Sequence, residues 1–191
     1  MASTIKMARC GHCDALHPIT ELGFGFRRPD FIDGLIKRGV PSIPIQELVP
    51  GEEAYCLYDA DAIYNAPIRE DSRAFVRVAI LFPIKDSTDH YTGGGWVEVS
   101  IDDLLAIQEA EMTGNTNATF TGKMANAIPS APESLGADVS ISVRGRNHTA
   151  LITFVDPKCA LTQEQAEGID VERVERFQGA FKAKVVEVPT H

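Results

Sequence analysis

Residues 74–84, Ala-Phe-Val-Arg-Val-Ala-Ile-Leu-Phe-Pro-Ile, are the most hydrophobic run in the chain. A run this short and this rich in β-branched and aromatic residues predicts a central strand, buried on both faces for most of its length. It should end near Pro83, because proline cannot donate to a ladder. Such a strand anchors a core, and the flanking sequence supplies partners. Trp96-Val97-Glu98-Val99 alternates as a strand with one covered face. Val139, Ile141 and Val143 alternate with Ser140 and Ser142, and Arg144-Gly145-Arg146-Asn147 then reverses the chain into residues 150–155, a hairpin. Residues 54–64 read as a further strand with Asp59 and Asp61 on one side. Residues 1–9 suit a short tail or an edge strand.

Helices are marked by their caps. Ser100 before Ile101-Asp102-Asp103 predicts a helix to about Met112, since the hydroxyl can take a free amide and the acids suit the positive end of the dipole. Gly114 and Asn115 end it. Thr162-Gln163-Glu164-Gln165 has the form of a capping box with Thr162 as the cap, and Asp170 caps a second helix. In that helix residues 171, 174, 177 and 181 are apolar at helical spacing. A turn or two of helix fits residues 31–37, whereas Gly34, Gly39, Pro41, Pro44 and Pro50 predict an irregular connection through residue 51. Residues 120–128 show no clear period. Without regular β-α-β alternation, the expected class is α+β: a mostly antiparallel sheet with C-terminal helices and an N-terminal zinc-knuckle-like loop. A single domain over 1–191 is expected, with a metal-knuckle segment at 1–30, a sheet core with one inserted helix at 54–156, and C-terminal helices at 160–182.

Composition removes whole classes. At 191 residues with 44% hydrophobic and 24% charged, the chain can bury a core and is neither disordered nor low in complexity. The formal charge of −9 disfavours a general binder of nucleic acid or anionic membrane and points, if anywhere, to a basic protein partner. No stretch approaches the roughly 18 apolar residues of a membrane span, and residues 1–9 lack the apolar core of a signal peptide, so a cytoplasmic location is expected. Four cysteines are too few for a disulfide scaffold.

Two of those cysteines fall in Cys10-x-x-Cys13-x-x-x-His17. Thiolates three residues apart can grip one ion from a single turn, and a nearby imidazole adds a third ligand of suitable softness, so zinc is the expected cofactor. His12 is an alternative third ligand. Zinc wants a fourth, for which Cys56 and Cys159 remain; Cys159 lies in a strand-to-helix loop beside Asp156 and Pro157, where coordination is sterically easy. Three thiolates and one imidazole would close the shell and make the ion structural. Against this stand two other readings: unligated thiols, with Cys56 and Cys159 as small core residues, and a thiol–disulfide pair at Cys10 and Cys13, which lacks the strand-then-helix context of thioredoxin-like sites.

Other signals are weaker. Gly93-Gly94-Gly95 precedes a strand rather than opening a helix, which suits a flexible loop or bulge better than a phosphate cradle. Phe24, Phe26, Arg27, Arg28 and Phe31 interleave aromatics with base, but the acidic background favours packing over nucleic-acid binding. Asp59, Asp61, Glu70 and Asp71 have no partner at a defined spacing and read as solvated surface. His90 and His148 fall in loops, and Ser100 and Ser134 lack a nucleophile-elbow context, so no catalytic residue is assigned.

Taken together, Cys10-x-x-Cys13-x-x-x-His17, Pro29-Asp30-Phe31, Phe75-Val76-Arg77, Trp96-Val97-x-Val99-Ser100 and Glu164-Gln165-x-x-Gly168-Ile169 resemble the DUF2199 family of bacterial proteins of unknown function. The resemblance carries no activity with it. It does imply a choice of ligand: the family pattern has His, in His-Pro-Leu-Ala, where Cys159 stands, and Cys and His replace each other readily around zinc. Cys159 is thereby preferred to Cys56. The chain departs from the family at Asp14, where Gly is usual, and in its Gly-rich segment before Trp96. The expected function is a small zinc-binding protein with a non-catalytic binding or regulatory role. Its rivals are a zinc-dependent hydrolase with an open metal position and an acidic protein that neutralises a basic partner.

Overall fold

A computed structural model describes residues 4–10, 13–39, 45–46, 55–58, 72–146, 148–181 and 185–189. The chain is α+β. The strands are β1 (Thr4–Arg9), β2 (Leu16–Pro18), β3 (Ile45–Gln46), β4 (Tyr55–Tyr58), β5 (Arg73–Pro83), β6 (His90–Val99), β7 (Thr119–Met124), β8 (Asp138–Ser142), β9 (Ala150–Phe154) and β10 (Val185–Pro189). The helices are α1 (Asp30–Lys37), α2 (Ile101–Thr113), α3 (Ala160–Glu167) and α4 (Val171–Ala180).

The expected sheet closes into a barrel. Strands β5 to β9 pair antiparallel in sequence order, and β9 then returns to pair parallel with β5. The hairpin β3–β4 extends the sheet from the first half of β5, with Cys56 opposite Phe75. Two-sided burial of β5 holds for its first half only. Ala74 and Val76 face the main core, while Phe75, on the other face, joins Ile32 and Leu35 of α1, Trp96 and Ala125 in a second cluster. Beyond Val76 the strand alternates: Val78, Ile80 and Phe82 are buried inside, and Arg77 is exposed.

Closure is brief and is completed by a side chain. The β5–β9 ladder consists of Val78–Ala150, Ala79–Leu151 and Ile80–Ile152. Past it, the Gln165 carboxamide of α3 spans both strands: its Oε1 accepts from Phe154 N (2.7 Å), and its Nε2 donates to Ile152 O (3.0 Å) and Leu81 O (3.2 Å). The chain then returns to the end of β5, where Ile169 N donates to Pro83 O (2.8 Å) and Lys85 N to Ile169 O (2.9 Å). Gly168 makes that return possible. Its φ is +82°, and a Cβ there would lie 3.0 Å from Pro83 O.

Several local expectations are corrected. Residues 93–95 lie inside β6 rather than before it. Gly93 and Gly95 stand opposite Ile80 and Val78 on the inward face, where a Cβ would come within 2.7 Å of the Phe24 ring and 2.5 Å of Met124 Cε respectively. The glycines therefore make room for side chains from elsewhere. The Phe24 ring stacks on Phe177 (5.3 Å between centroids) and Phe181 (5.1 Å), and Phe24 O accepts from Gly94 N (2.7 Å), covering part of the β6 edge. Thr162 is not a cap: α3 starts earlier, with Cys159 at the N-cap, and the Thr162 hydroxyl donates to Asp156 O (2.6 Å). Residues 1–9 yield β1, the middle strand of a second sheet ordered β10-β1-β2, and β10 lies beyond the expected helices. The unclear segment 120–128 begins with β7. The Ser100 and Asp170 caps form as expected, accepting from Asp103 N (3.0 Å) and Arg173 N (2.7 Å).

The second sheet is tied to the barrel by α4. Lys6 Nζ pairs with Glu175 (2.5 Å), and the buried Gln178 Nε2 donates to Leu22 O (2.5 Å) and Tyr91 Oη (2.9 Å). Burial pushes the Tyr91 phenol up to about 12.

Two outcomes are expected. Gln165→Leu strands an amide and two carbonyls and should lower stability by about 2–4 kcal/mol in urea unfolding, with Gln165→Glu in between because it keeps the acceptor for Phe154 N; a Leu variant as stable as the parent would contradict the closure described. The folded-state pKa of Tyr91 lies above its unfolded value of about 10. Its contribution to stability is thus fully present below pH 10 and lost as pH rises toward about 12. Tyr91→Phe should flatten that alkaline fall in thermal unfolding, and an unchanged pH profile would contradict the assignment.

Candidate metal centre

The turn between β1 and β2 carries the motif. Ala8 stands opposite His17 and Arg9 opposite Leu16, so the two strands deliver Cys10 and His17 to neighbouring positions. Cys10 N donates to Ala15 O (2.8 Å) and Asp14 N to Cys10 O (3.0 Å), closing the turn. Asp14 has φ +58°, the left-handed region that favours glycine. Here Arg9 supports the residue instead: its Nη1 donates to Asp14 O (2.6 Å) and lies 3.2 Å from Asp14 Oδ1.

The ligand atoms of Cys10, Cys13 and His17 all lie within 4.8 Å of one another. Donors around a tetrahedral zinc are roughly 3.3–3.8 Å apart, given zinc–sulfur and zinc–nitrogen lengths of about 2.3 and 2.0 Å. Small side-chain movements would therefore bring these three onto one ion, and the group could hold a metal. Cys13 Sγ is 3.1 Å from His17 Nε2, so Nε2 is the nitrogen turned toward the cluster. The other ring nitrogen, Nδ1, lies 4.0 Å from Glu21 Oε2 in the 3-10 turn Ile19–Glu21 that follows β2. A carboxylate behind a ligating histidine fixes the tautomer and raises basicity. Cys13 is exposed, while Cys10 and His17 are half-buried.

The expected fourth ligand is not brought to this group. Cys159 is 3% exposed and packs in the main core at the N-cap of α3. Its N–H donates to Asp156 O (3.1 Å), and the turn at Asp156-Pro157-Lys158 directs the side chain inward beside Leu161. Burial pushes the thiol pKa up. The Cys56 backbone lies in β4, paired with Phe75. His12, Asp59, Asp61, Glu70 and Asp71 lie outside the described residues.

The remaining candidates resolve into structure. Phe24 is buried, and Phe31 stacks on Phe75 at 6.5 Å. His90 and His148 are exposed. Ser100 is a helix cap, and the Ser134 hydroxyl is buried, accepting from Ile128 N (2.8 Å) and donating to Asn126 O (3.1 Å). Sequence reasoning missed Glu21 and the Arg9–Asp14 support. Glu21 was findable, since it follows His17 by four residues.

Among the described residues no helix is long and apolar enough to cross a membrane. No curated protein and no solved structure matches the chain significantly. A family model does match, over residues 9–169, from the residue before Cys10 to the residue that returns to β5. The chain belongs to the DUF2199 family, described as uncharacterized proteins conserved in bacteria.

Proposed function

We propose that Cys10, Cys13 and His17 bind zinc, and that the zinc-loaded turn serves a non-catalytic binding or regulatory role. The observation that carries this reading is the convergence of two thiols and an imidazole within 4.8 Å on a turn that exposes Cys13. Two thiolates and one imidazole suit zinc better than the hard, oxygen-seeking cations. The Glu21 carboxylate lies 4.0 Å from the other imidazole nitrogen, near enough to accept from it after a small side-chain movement. A hydrolytic reading is favoured by one observation: three described donors leave a coordination position for water, as catalytic zinc requires.

Elemental analysis of the purified protein should find about one zinc per chain, absent from Cys13→Ser and His17→Ala and retained by Cys159→Ala. A metal-free parent would overturn the reading, and loss of zinc from Cys159→Ala would overturn the three-donor set. Glu21→Gln should weaken zinc binding about tenfold in a competition titration, while unchanged affinity would remove Glu21 from the site. Turnover on an ester and phosphoester panel that vanishes with Cys13→Ser would favour the hydrolase.

A further inference from the structure

Cys10 and Cys13 share one turn but differ in access: Cys13 is exposed, whereas Cys10 is half-buried. Their sulfurs lie within 4.8 Å of each other. A common zinc ion would draw them to roughly 3.8 Å, and a disulfide needs about 2.05 Å. The turn that presents them is held by bonds that use neither sulfur. Cys10 N donates to Ala15 O, Asp14 N donates to Cys10 O, and Arg9 Nη1 donates to Asp14 O. Loss of a metal would therefore leave the two thiols adjacent. Cys159, 3% exposed in the main core, is shielded from an oxidant in solvent.

We infer that this turn is a redox switch, in which a hydroperoxide joins Cys10 to Cys13 as a disulfide and zinc is released. The switch rests on the zinc binding proposed above. The exposed Cys13 thiolate attacks the terminal peroxide oxygen and the O–O bond breaks. Cys13 becomes a sulfenic acid, and the departing hydroxide or alkoxide takes a proton from water. The Cys10 thiolate then attacks Cys13 Sγ, the S–O bond breaks, and the hydroxide that leaves is protonated in turn. Two electrons pass from the two sulfurs to the peroxide, which ends as water, or as water and an alcohol. Only the thiolate ligates zinc, so the disulfide removes two of the three donors and leaves His17 alone. A thiol reductant reverses the step by exchange. A neutral oxidant suits a chain of net charge −9 better than an anionic disulfide does.

Hydrogen peroxide added to the zinc-loaded full chain tests the switch, followed by a colorimetric zinc chelator and by non-reducing peptide mass mapping. About one zinc should be released for about one peroxide consumed, with Cys10 and Cys13 joined. Cys159→Ala should release zinc at the parent's rate, and dithiothreitol followed by added zinc should restore the bound metal. Oxidised glutathione, an anion, should act at least about tenfold more slowly at the same concentration, and equal release by it would overturn the choice of a hydroperoxide. A parent that carries no zinc and takes none up would overturn the zinc reading and the switch with it. Zinc retained through oxidation, zinc lost with the two cysteines left as separate sulfinic acids, or a disulfide through Cys56 or Cys159 would overturn the switch alone.

Discussion

The short parallel contact between β5 and β9 is the constraint on which the rest of the molecule depends. Three residue pairs close the barrel, and Gln165 continues the closure by giving two strands the donors and acceptor that a further residue pair would have supplied. A buried amide left unpaired costs about 1–3 kcal/mol, so this one side chain is worth as much as several surface contacts. It also fixes α3 against β5 and β9, and with α3 comes its N-cap residue, Cys159. The same lock that closes the barrel therefore holds Cys159 in the core. Glu164, its neighbour, pairs at 2.8 Å with Arg173 of α4, joining the two C-terminal helices.

The N-terminal sheet is built on this base. β1 is flanked by β2 and by β10 from the far end of the chain, and it is anchored to α4 through Lys6 and Glu175. Phe24 enters where Gly93 leaves room, and Gln178 ties Leu22 to the Tyr91 hydroxyl. The strands below the Cys10–His17 turn are held by these contacts, while Cys13 in the turn itself is exposed. A rigid base under an exposed group suits recognition of something outside the chain.

What the sequence disclosed follows from whether the cause was local. The strand at 74–84, the hairpin at 139–155 and the caps at Ser100 and Asp170 rest on period and near neighbours, and all were legible. The three donors were legible for the same reason, since Cys10, Cys13 and His17 fall within one turn and the start of its return strand. The reading of Gly93-Gly94-Gly95 failed because its cause, the Phe24 ring, lies 69 residues upstream. Cys159 was correctly placed in a strand-to-helix loop, but α3 begins two residues before Thr162, and that start turns the thiol inward. β10 escaped notice because Val186 and Val188 lie exposed on one side and only Val185, at its start, packs against the core. The closing role of Gln165 was hidden too: its motif was visible in the sequence, yet nothing there shows that the side chain bridges two strands.

On the proposed reading zinc is a local device, since the contacts that close the barrel use none of Cys10, Cys13 and His17. Hydrogen exchange of the zinc-loaded and chelated protein tests that claim most directly. The account predicts that chelation lowers protection around residues 4–22 and leaves the amides of β5, β9 and α3 unchanged. Loss of protection at Ile152, Phe154 or the start of α3 on removing zinc would contradict it, because the metal would then be tying the Cys159 loop to the N-terminal turn.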